Sequence, residues 1–324
     1  MKTVFLDFQS LHPEDLDTSA LEAKLEHVQF WQDTPPDSLI ERLAQTQVVV
    51  VNKIHLDATT LHALPELQLI CLAATGTDNV DLEAAKELDI AVANIREYCT
   101  PSVVQHVFAL ILSLTQHLNT YQTAVQAGAW QASRQFCLLD PPIRELHGKT
   151  MGLIGLGALG SGVAGVARAF GMRVIAARLP WRSTRAASES GQSAPRLPLH
   201  ELLQQADIVS LHCPLNEDTR HIIDAAALEL MQRDALLINT ARGGLVDSGA
   251  LLTALEREEI AGAGIDVLEQ EPPVDGDPLI DSSLPNLLVT PHIAWSAREA
   301  RQRALDEILA NILAFKAGEE RNRV

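Results

Sequence analysis

Aromatic residues are scarce in this chain, at 4% of 324 positions, so its cores must be built from Leu, Ile, Val and Ala. Such aliphatic interiors suit layered α/β architecture, where parallel strands are covered on both faces. Cysteine is also sparse. Cys71, Cys99, Cys137 and Cys213 lie far apart, without CxxC or His/Cys ligand spacing, which supports neither a disulfide framework nor a zinc site. Basic residues are outnumbered 25 to 42 by acidic ones, for a formal net charge of −17. A surface that acidic repels nucleic acid and anionic lipid, and no Lys/Arg-rich run offsets it locally. No apolar run is long enough to span a bilayer, and the opening MKTVFLDF reads as a strand, not a signal peptide. The expectation is a soluble cytoplasmic protein whose anionic ligands sit in a small, concentrated basic site.

What the chain does have is alternation. Thr3–Asp7, Gln47–Val51 and Leu69–Ala73 read as strands, with helices over Pro36–Ala44 and Asp81–Glu87 between them. Thr100 and Pro101 then suit the start of a helix running from Ser102 to about Leu118. That helix is apolar on nearly every side and calls for burial all round, inside the chain or against another subunit. A second βα series follows, with strands at Met151–Gly155, Arg173–Ala177, Asp207–His212, Ala235–Asn239, Gly262–Asp266 and Leu287–Thr290. A closing helix from Ser296 to about Lys316 should pack back on the first series. The fold class that follows is α/β, with two doubly wound parallel-sheet domains. Residues 1–98 plus 292–324 form one, and residues 99–291 are inserted as the other.

Gly155-Leu156-Gly157-Ala158-Leu159-Gly160 sits between the strand at Met151 and a helix with small apolar residues. In that context a G-x-G-x-x-G turn is a dinucleotide signature. Gly155 permits the tight turn, Gly157 lets a pyrophosphate approach the backbone, and Gly160 lets helix and strand pack closely. The helix N-terminus then holds the anion. About 20 residues on, a site selective for NAD usually carries an acid for the ribose 2′-hydroxyl. Here Arg178 occupies that place, with Arg182 close behind, and a guanidinium grips a 2′-phosphate instead. NADP(H) is therefore preferred, with NAD(H) the alternative.

Three charged or titratable residues follow strand ends: Arg242 in Asn239–Gly244, Glu271 just beyond Asp266, and His292 in Thr290–Trp295. In open parallel sheets that edge binds ligands. Reducing a ketone without a metal calls for such a set. Hydride goes to carbon, a proton must reach oxygen, and histidine suits the acid's role at neutral pH. A carboxylate orients the ring, and an arginine binds a substrate carboxylate and polarises the carbonyl.

These motifs resemble those of the D-isomer-specific 2-hydroxyacid dehydrogenase family, and the likeness runs over essentially the whole chain. Within that family the sequence is most similar to bacterial glycerate dehydrogenases (hydroxypyruvate reductases). The residues carrying it are Gly155–Gly160, Asp207–Arg220 (DIVSLHCPLNEDTR), Asn239–Asp247 (NTARGGLVD), Gly264–Pro272, Pro291–Trp295 (PHIAW) and the closing RNRV. The resemblance implies two Rossmann-like domains and an NAD(P)-dependent dehydrogenase that interconverts a small 2-keto acid, best hydroxypyruvate, and its D-2-hydroxy acid. It makes Arg242 the substrate-binding cation, His292 the acid/base and Glu271 its partner. Cofactor contacts fall on Ala158, Leu159, Pro214, Thr240, Ala241, Asp266 (facing the nicotinamide amide), His292 and Ala294. Backbone N–H groups of Ala74-Thr75-Gly76 hold the substrate carboxylate, with Lys53 nearby. The resemblance also implies a homodimer through the helix after Pro101. Glyoxylate or another 2-keto acid is the alternative substrate, and a non-catalytic, corepressor-like dinucleotide sensor is the alternative class.

Overall fold

Runs of aliphatic and β-branched residues set the strands of the computed structural model, which describes residues 1–179 and 194–324. The chain divides into two compact units, Met1–Cys99 with Trp295–Val324, and Thr100–Ala294. The second boundary lies three residues later than the expected position after Pro291, so His292 belongs to the central unit.

In the first unit, β1 (Lys2–Phe5), β2 (His27–Phe30), β3 (Val48–Val51), β4 (Leu69–Leu72) and β5 (Ala91–Ala93) form one sheet in the order β2-β1-β3-β4-β5. Every pairing is parallel. All four residues of β3 and of β4 are buried, as expected for central strands covered on both faces. On one face Phe5, Val48, Val50 and Leu69 pack with Leu305, Ile308 and Ile312 of the closing helix Arg298–Lys316. On the other, Val4, Val49, Val51 and Ile70 pack with Leu61 and Ala85. The closing helix thus covers the first series. Two of these strands were not expected. β2 is a half-exposed edge with His27 and Gln29 among its four residues, and β5 is three small residues; neither makes a recognisable apolar run.

In the central unit, β6 (Thr150–Ile154), β7 (Arg173–Ala177), β8 (Arg196–Leu197), β9 (Ile208–Leu211), β10 (Leu236–Asn239), β11 (Gly262–Ile265) and β12 (Leu287–Val289) form a parallel sheet. Its order is β12-β11-β10-β9-β6-β7-β8. The chain winds one way from β6 through β7 to β8 and the other way from β9 to β12. The direction reverses between β6 and β9, and a doubly wound sheet opens its ligand crevice there, at the strands' carboxyl ends. Because the strands are parallel, the segments following β6, β7, β9, β10, β11 and β12 all emerge on that one edge.

The helix Thr100–Gln116 buries Val103, Val104, Val107, Phe108, Leu110, Ile111 and Leu114. Among the described residues of this one chain it is not covered all round. Pro101, Gln105 and Ala109, spaced four apart, form an exposed stripe. Among the described residues no helix is long and apolar enough to cross a membrane.

Candidate active site

The glycine turn leaves β6 in a conformation that a side chain would block. Gly155 has φ +105°, and a Cβ there would lie 2.4 Å from the His212 carbonyl oxygen. A Cβ on Gly160 would lie 2.2 Å from the Gly155 carbonyl, so the turn and the helix it opens are in direct backbone contact. Gly157 is the N-cap of that helix, Ala158–Ala169. Among the described residues no side chain caps it, and its first turn carries no acid. Asp57, Asp81, Asp224 and Asp247 cap other helices by accepting a backbone N–H. The amides of Ala158, Leu159 and Gly160 are thus left for an anion, as a pyrophosphate requires. A second observation fits a dinucleotide: the buried Thr240 hydroxyl, just past β10 on the same edge, has no partner among the described residues. Pro214 is exposed three residues past β9.

Arg178 is the first residue after β7 and is exposed, while its backbone N–H donates to Leu197 O at 2.7 Å. Arg196, on β8, donates from Nη1 to Ala177 O at 3.4 Å, which puts a second guanidinium at the end of β7. Arg182 lies outside the described residues.

Glu271 and His292 meet directly. His292 Nδ1 is 2.5 Å from Glu271 Oε2, and Glu271 Oε1 accepts from the Leu268 amide at 2.8 Å. His292 has φ +54°, a left-handed conformation uncommon for a residue with a side chain. Its amide donates to Asp266 O at 2.7 Å, which fixes that turn. Asp266 holds the rest of the segment. Its Oδ1 accepts from the Thr290 hydroxyl (2.6 Å) and the Ile293 amide (2.9 Å), and its Oδ2 from the Ala294 amide (2.8 Å). Burial pushes this carboxyl up, but the hydrogen bonds from His106, Thr290 and the two amides outweigh it and hold the group below the ordinary aspartate value. His106 Nε2 lies 3.0 Å from Thr290 Oγ1. Since that hydroxyl donates to Asp266, it accepts from His106, so the ring proton is assigned to Nε2.

Arg242 stands on a loop shaped by the fully buried Asn239, whose Oδ1 accepts from Ala241 N (3.0 Å) and whose Nδ2 donates to Arg242 O (2.8 Å). Arg242 Nη1 donates to Ala241 O at 2.7 Å. The next residue, Gly243, lies so close to the Leu268 backbone that a Cβ would fall 1.9 Å from the Leu268 carbonyl carbon. The Arg242 loop therefore rests on the same Leu268 peptide segment whose amide holds Glu271. Leu268 thus touches the Arg242 loop through its backbone and the Glu271 carboxylate through its amide, and Glu271 in turn meets His292. Arg220 pairs with Glu269, leaving Glu271 to His292.

In the terminal unit, Lys53 is exposed on a turn organised by Asp7. That buried carboxylate accepts from the amides of Asn52 (3.0 Å), Lys53 (2.6 Å) and Ile54 (3.3 Å). Burial raises the Asp7 carboxyl above its ordinary value against the opposing pull of these amides. Ala74, Thr75 and Gly76 follow β4, with Ala74 O accepting from Ile95 N at 3.2 Å. Asp7, Asn239, His106 and Arg196 escape a reading of the sequence, although the position of Asp7 and Asn239 at the carboxyl ends of β1 and β10 is a signal that could have found them.

The family model described as "D-isomer specific 2-hydroxyacid dehydrogenase, NAD binding domain" matches residues 108–294. A glycerate dehydrogenase of Methylorubrum extorquens is 43% identical over 323 residues, covering 100% of this chain and 98% of that protein. A hydroxypyruvate reductase of Blautia hydrogenotrophica is 34% identical over 326 residues, covering 100% and 99%. Among solved structures, an acyclic imino acid reductase in complex with NADPH and D-Arg superposes with a TM-score of 0.86 at 30% identity, covering 100% of both chains. The chain belongs to the D-isomer-specific 2-hydroxyacid dehydrogenase family. It is thus an oxidoreductase of that family with a nicotinamide-dinucleotide domain.

Proposed function

We propose that this protein reduces a small 2-keto acid, best hydroxypyruvate to D-glycerate, with NADPH preferred over NADH. The observation that carries the reading is the Glu271–His292 pair, which shares one sheet edge with the Arg242 loop and the uncapped glycine turn. A nicotinamide dinucleotide, which the glycine turn Gly155–Gly160 would hold, would supply hydride chemistry at the carbonyl carbon. His292 donates the proton that the carbonyl oxygen takes up, and Glu271 accepts from the other ring nitrogen and so keeps the donor aimed. Arg242 binds the substrate carboxylate and stabilises the negative charge that develops on oxygen. In the terminal unit, we assign the amides of Ala74–Gly76 and the Lys53 ammonium to substrate binding, on the resemblance to the family. Asp266 acts in this scheme mainly through the His292 segment, since both its oxygens are engaged there.

The cofactor preference is supported by Arg178 in the place of an acid, by Arg196 beside it, and by the NADPH complex of a 30% identical relative. The identity to a glycerate dehydrogenase supports the substrate. A methylene or hydroxyl in a pocket shifts specificity by only ~1–3 kcal/mol, so glyoxylate and pyruvate are natural competitors. Turnover of hydroxypyruvate, glyoxylate and pyruvate, each with NADPH and NADH, tests the reading directly. In His292→Ala, kcat should fall by about 10²–10⁴-fold with NADPH affinity unchanged. NADPH binding without reduction of any 2-keto acid would favour the sensor instead.

We further infer a cytoplasmic homodimer formed through the helix after Pro101, and extend the contact to the segment that follows that helix. Support comes from exposed apolar side chains concentrated there: Leu118 (57%), Trp130 (52%), Phe136 (89%), Leu139 (75%) and Ile143 (53%). Exposed apolar groups so concentrated on one segment mark an interaction site. A monomer by light scattering at micromolar concentration would overturn it.

A further inference from the structure

The turn Ala74–Gly76 is fixed from behind by the segment that follows β5. Ile95 N donates to Ala74 O at 3.2 Å, the Thr75 hydroxyl donates to Ile95 O at 2.8 Å, and Asn94 Nδ2 donates to Thr75 O at 2.7 Å. A trans peptide is planar, with its C=O and N–H on opposite sides. Holding the carbonyls of Ala74 and Thr75 therefore also aims the N–H groups of Thr75 and Gly76, away from residues 94 and 95.

Asn94 is suited to this task because all its polar groups are engaged. It is 6% exposed, its backbone N–H donates to Asn322 O (3.1 Å), and its backbone O accepts from Asn311 Nδ2 (2.8 Å). Its Oδ1 accepts from Arg96 Nε at 3.1 Å. A carbonyl can only accept and a guanidinium can only donate, so these two partners select one orientation of the amide. Arg96 is itself tied by Nη2 to Arg323 O at 2.8 Å.

We propose that Asn94 is a positioning residue for the 2-keto acid, holding the Ala74–Gly76 amides in their carboxylate-binding direction, with Arg96 setting the orientation of its amide. The proposal rests on the assignment of that turn to the substrate carboxylate. Asn94 touches no reacting atom; it acts through the turn.

The decisive variant in the full-length protein is Asn94→Asp, which keeps the shape and the acceptor for Arg96 but turns an oxygen toward Thr75 O. KM for hydroxypyruvate should rise about tenfold, while kcat stays within twofold and NADPH affinity, read by fluorescence titration, is unchanged. Arg96→Met at the exposed position should raise KM about threefold and guards against a folding defect in the buried variant. Gly76→Pro deletes one of the presented N–H groups and tests the turn directly. A raised KM in Gly76→Pro with wild-type KM in the other two would overturn the role of Asn94 and leave the turn's assignment standing. If none of the three moves KM, the assignment itself fails. If Asn94→Asp lowers kcat, NADPH affinity and melting temperature together, Asn94 serves the fold alone and the proposal is wrong.

Discussion

His292 Nδ1 and Glu271 Oε2 are 2.5 Å apart, and the other oxygen of the same carboxylate takes the Leu268 amide. Glu271 thus serves two donors, and only a carboxylate offers an acceptor to both. In Glu271→Gln one of the two must face an NH₂ group, so either the Leu268 amide loses its acceptor or the ring loses the carboxylate that accepts from a protonated Nδ1. A hydrogen bond to a charged group contributes ~1.5–3 kcal/mol, which corresponds to a drop in kcat of about 10–100-fold. NADPH affinity should not change, since the glycine turn lies on a different strand. Steady-state kinetics beside a fluorescence titration separates the two effects. A variant with kcat within twofold of wild type would show that the pair does not orient the acid.

Reading the sequence reached the glycine turn and the three residues after strand ends because both are local patterns. Gly155–Gly160 is a short motif in a strand–helix context, and Arg242, Glu271 and His292 each follow a visible aliphatic run. The strand at Arg173–Ala177 is found with the expected limits, and most others within one or two residues. What was missed is long-range or polar. Asp7 organises a turn some 45 residues away, and His106 reaches Thr290 across 184 positions. No periodicity reports such pairings. The edge strand β2 hides among polar residues, and Arg196 declares itself only through its place beside β7.

Arg178 and Arg196 both stand at the end of β7, and the proposed NADP(H) preference makes cofactor choice a question of their charge. Arg178→Asp should weaken NADPH and favour NADH, because a carboxylate repels the phosphate and accepts from a 2′-hydroxyl. Losing one guanidinium–phosphate contact at an exposed site and gaining a repulsion should shift the ratio of kcat/KM values toward NADH by about tenfold. The measurement is kcat/KM for both cofactors at saturating hydroxypyruvate. A ratio equal to wild type would remove Arg178 from the phosphate site.

Gly243 and Gly165 make opposite predictions for one methyl group. At Gly243 a Cβ would fall 1.9 Å from the Leu268 carbonyl carbon, a backbone atom that cannot step aside. Gly243→Ala should push the Arg242 loop off the Glu271 segment, costing about 3 kcal/mol or more and most of the activity. At Gly165, inside the helix Ala158–Ala169, a Cβ meets nothing within 4 Å. Gly165→Ala should stabilise by ~0.5–1 kcal/mol through helix propensity alone, with kinetics unchanged. Thermal melts of both variants decide the matter, and equal shifts for the two would contradict the backbone contact.

His212, two residues before the exposed Pro214, predicts how the protein responds to acid. Its Nε2 lies 2.9 Å from Ser210 Oγ, its Nδ1 is buried with no partner among the described residues, and burial pushes the imidazole down to about 4. An unfolded chain would protonate the same ring near ~6.5. As pH falls through that value the unfolded state gains a proton that the folded state refuses. Stability is therefore full above about 6.5, declines toward pH 4, and loses nothing further from this group below its folded value. The loss over that window is on the order of 3 kcal/mol. His212→Asn removes the titration, so urea midpoints measured at pH 7 and pH 4.5 should differ less for the variant than for the wild type. Parallel declines for the two proteins would assign the acid sensitivity to other groups.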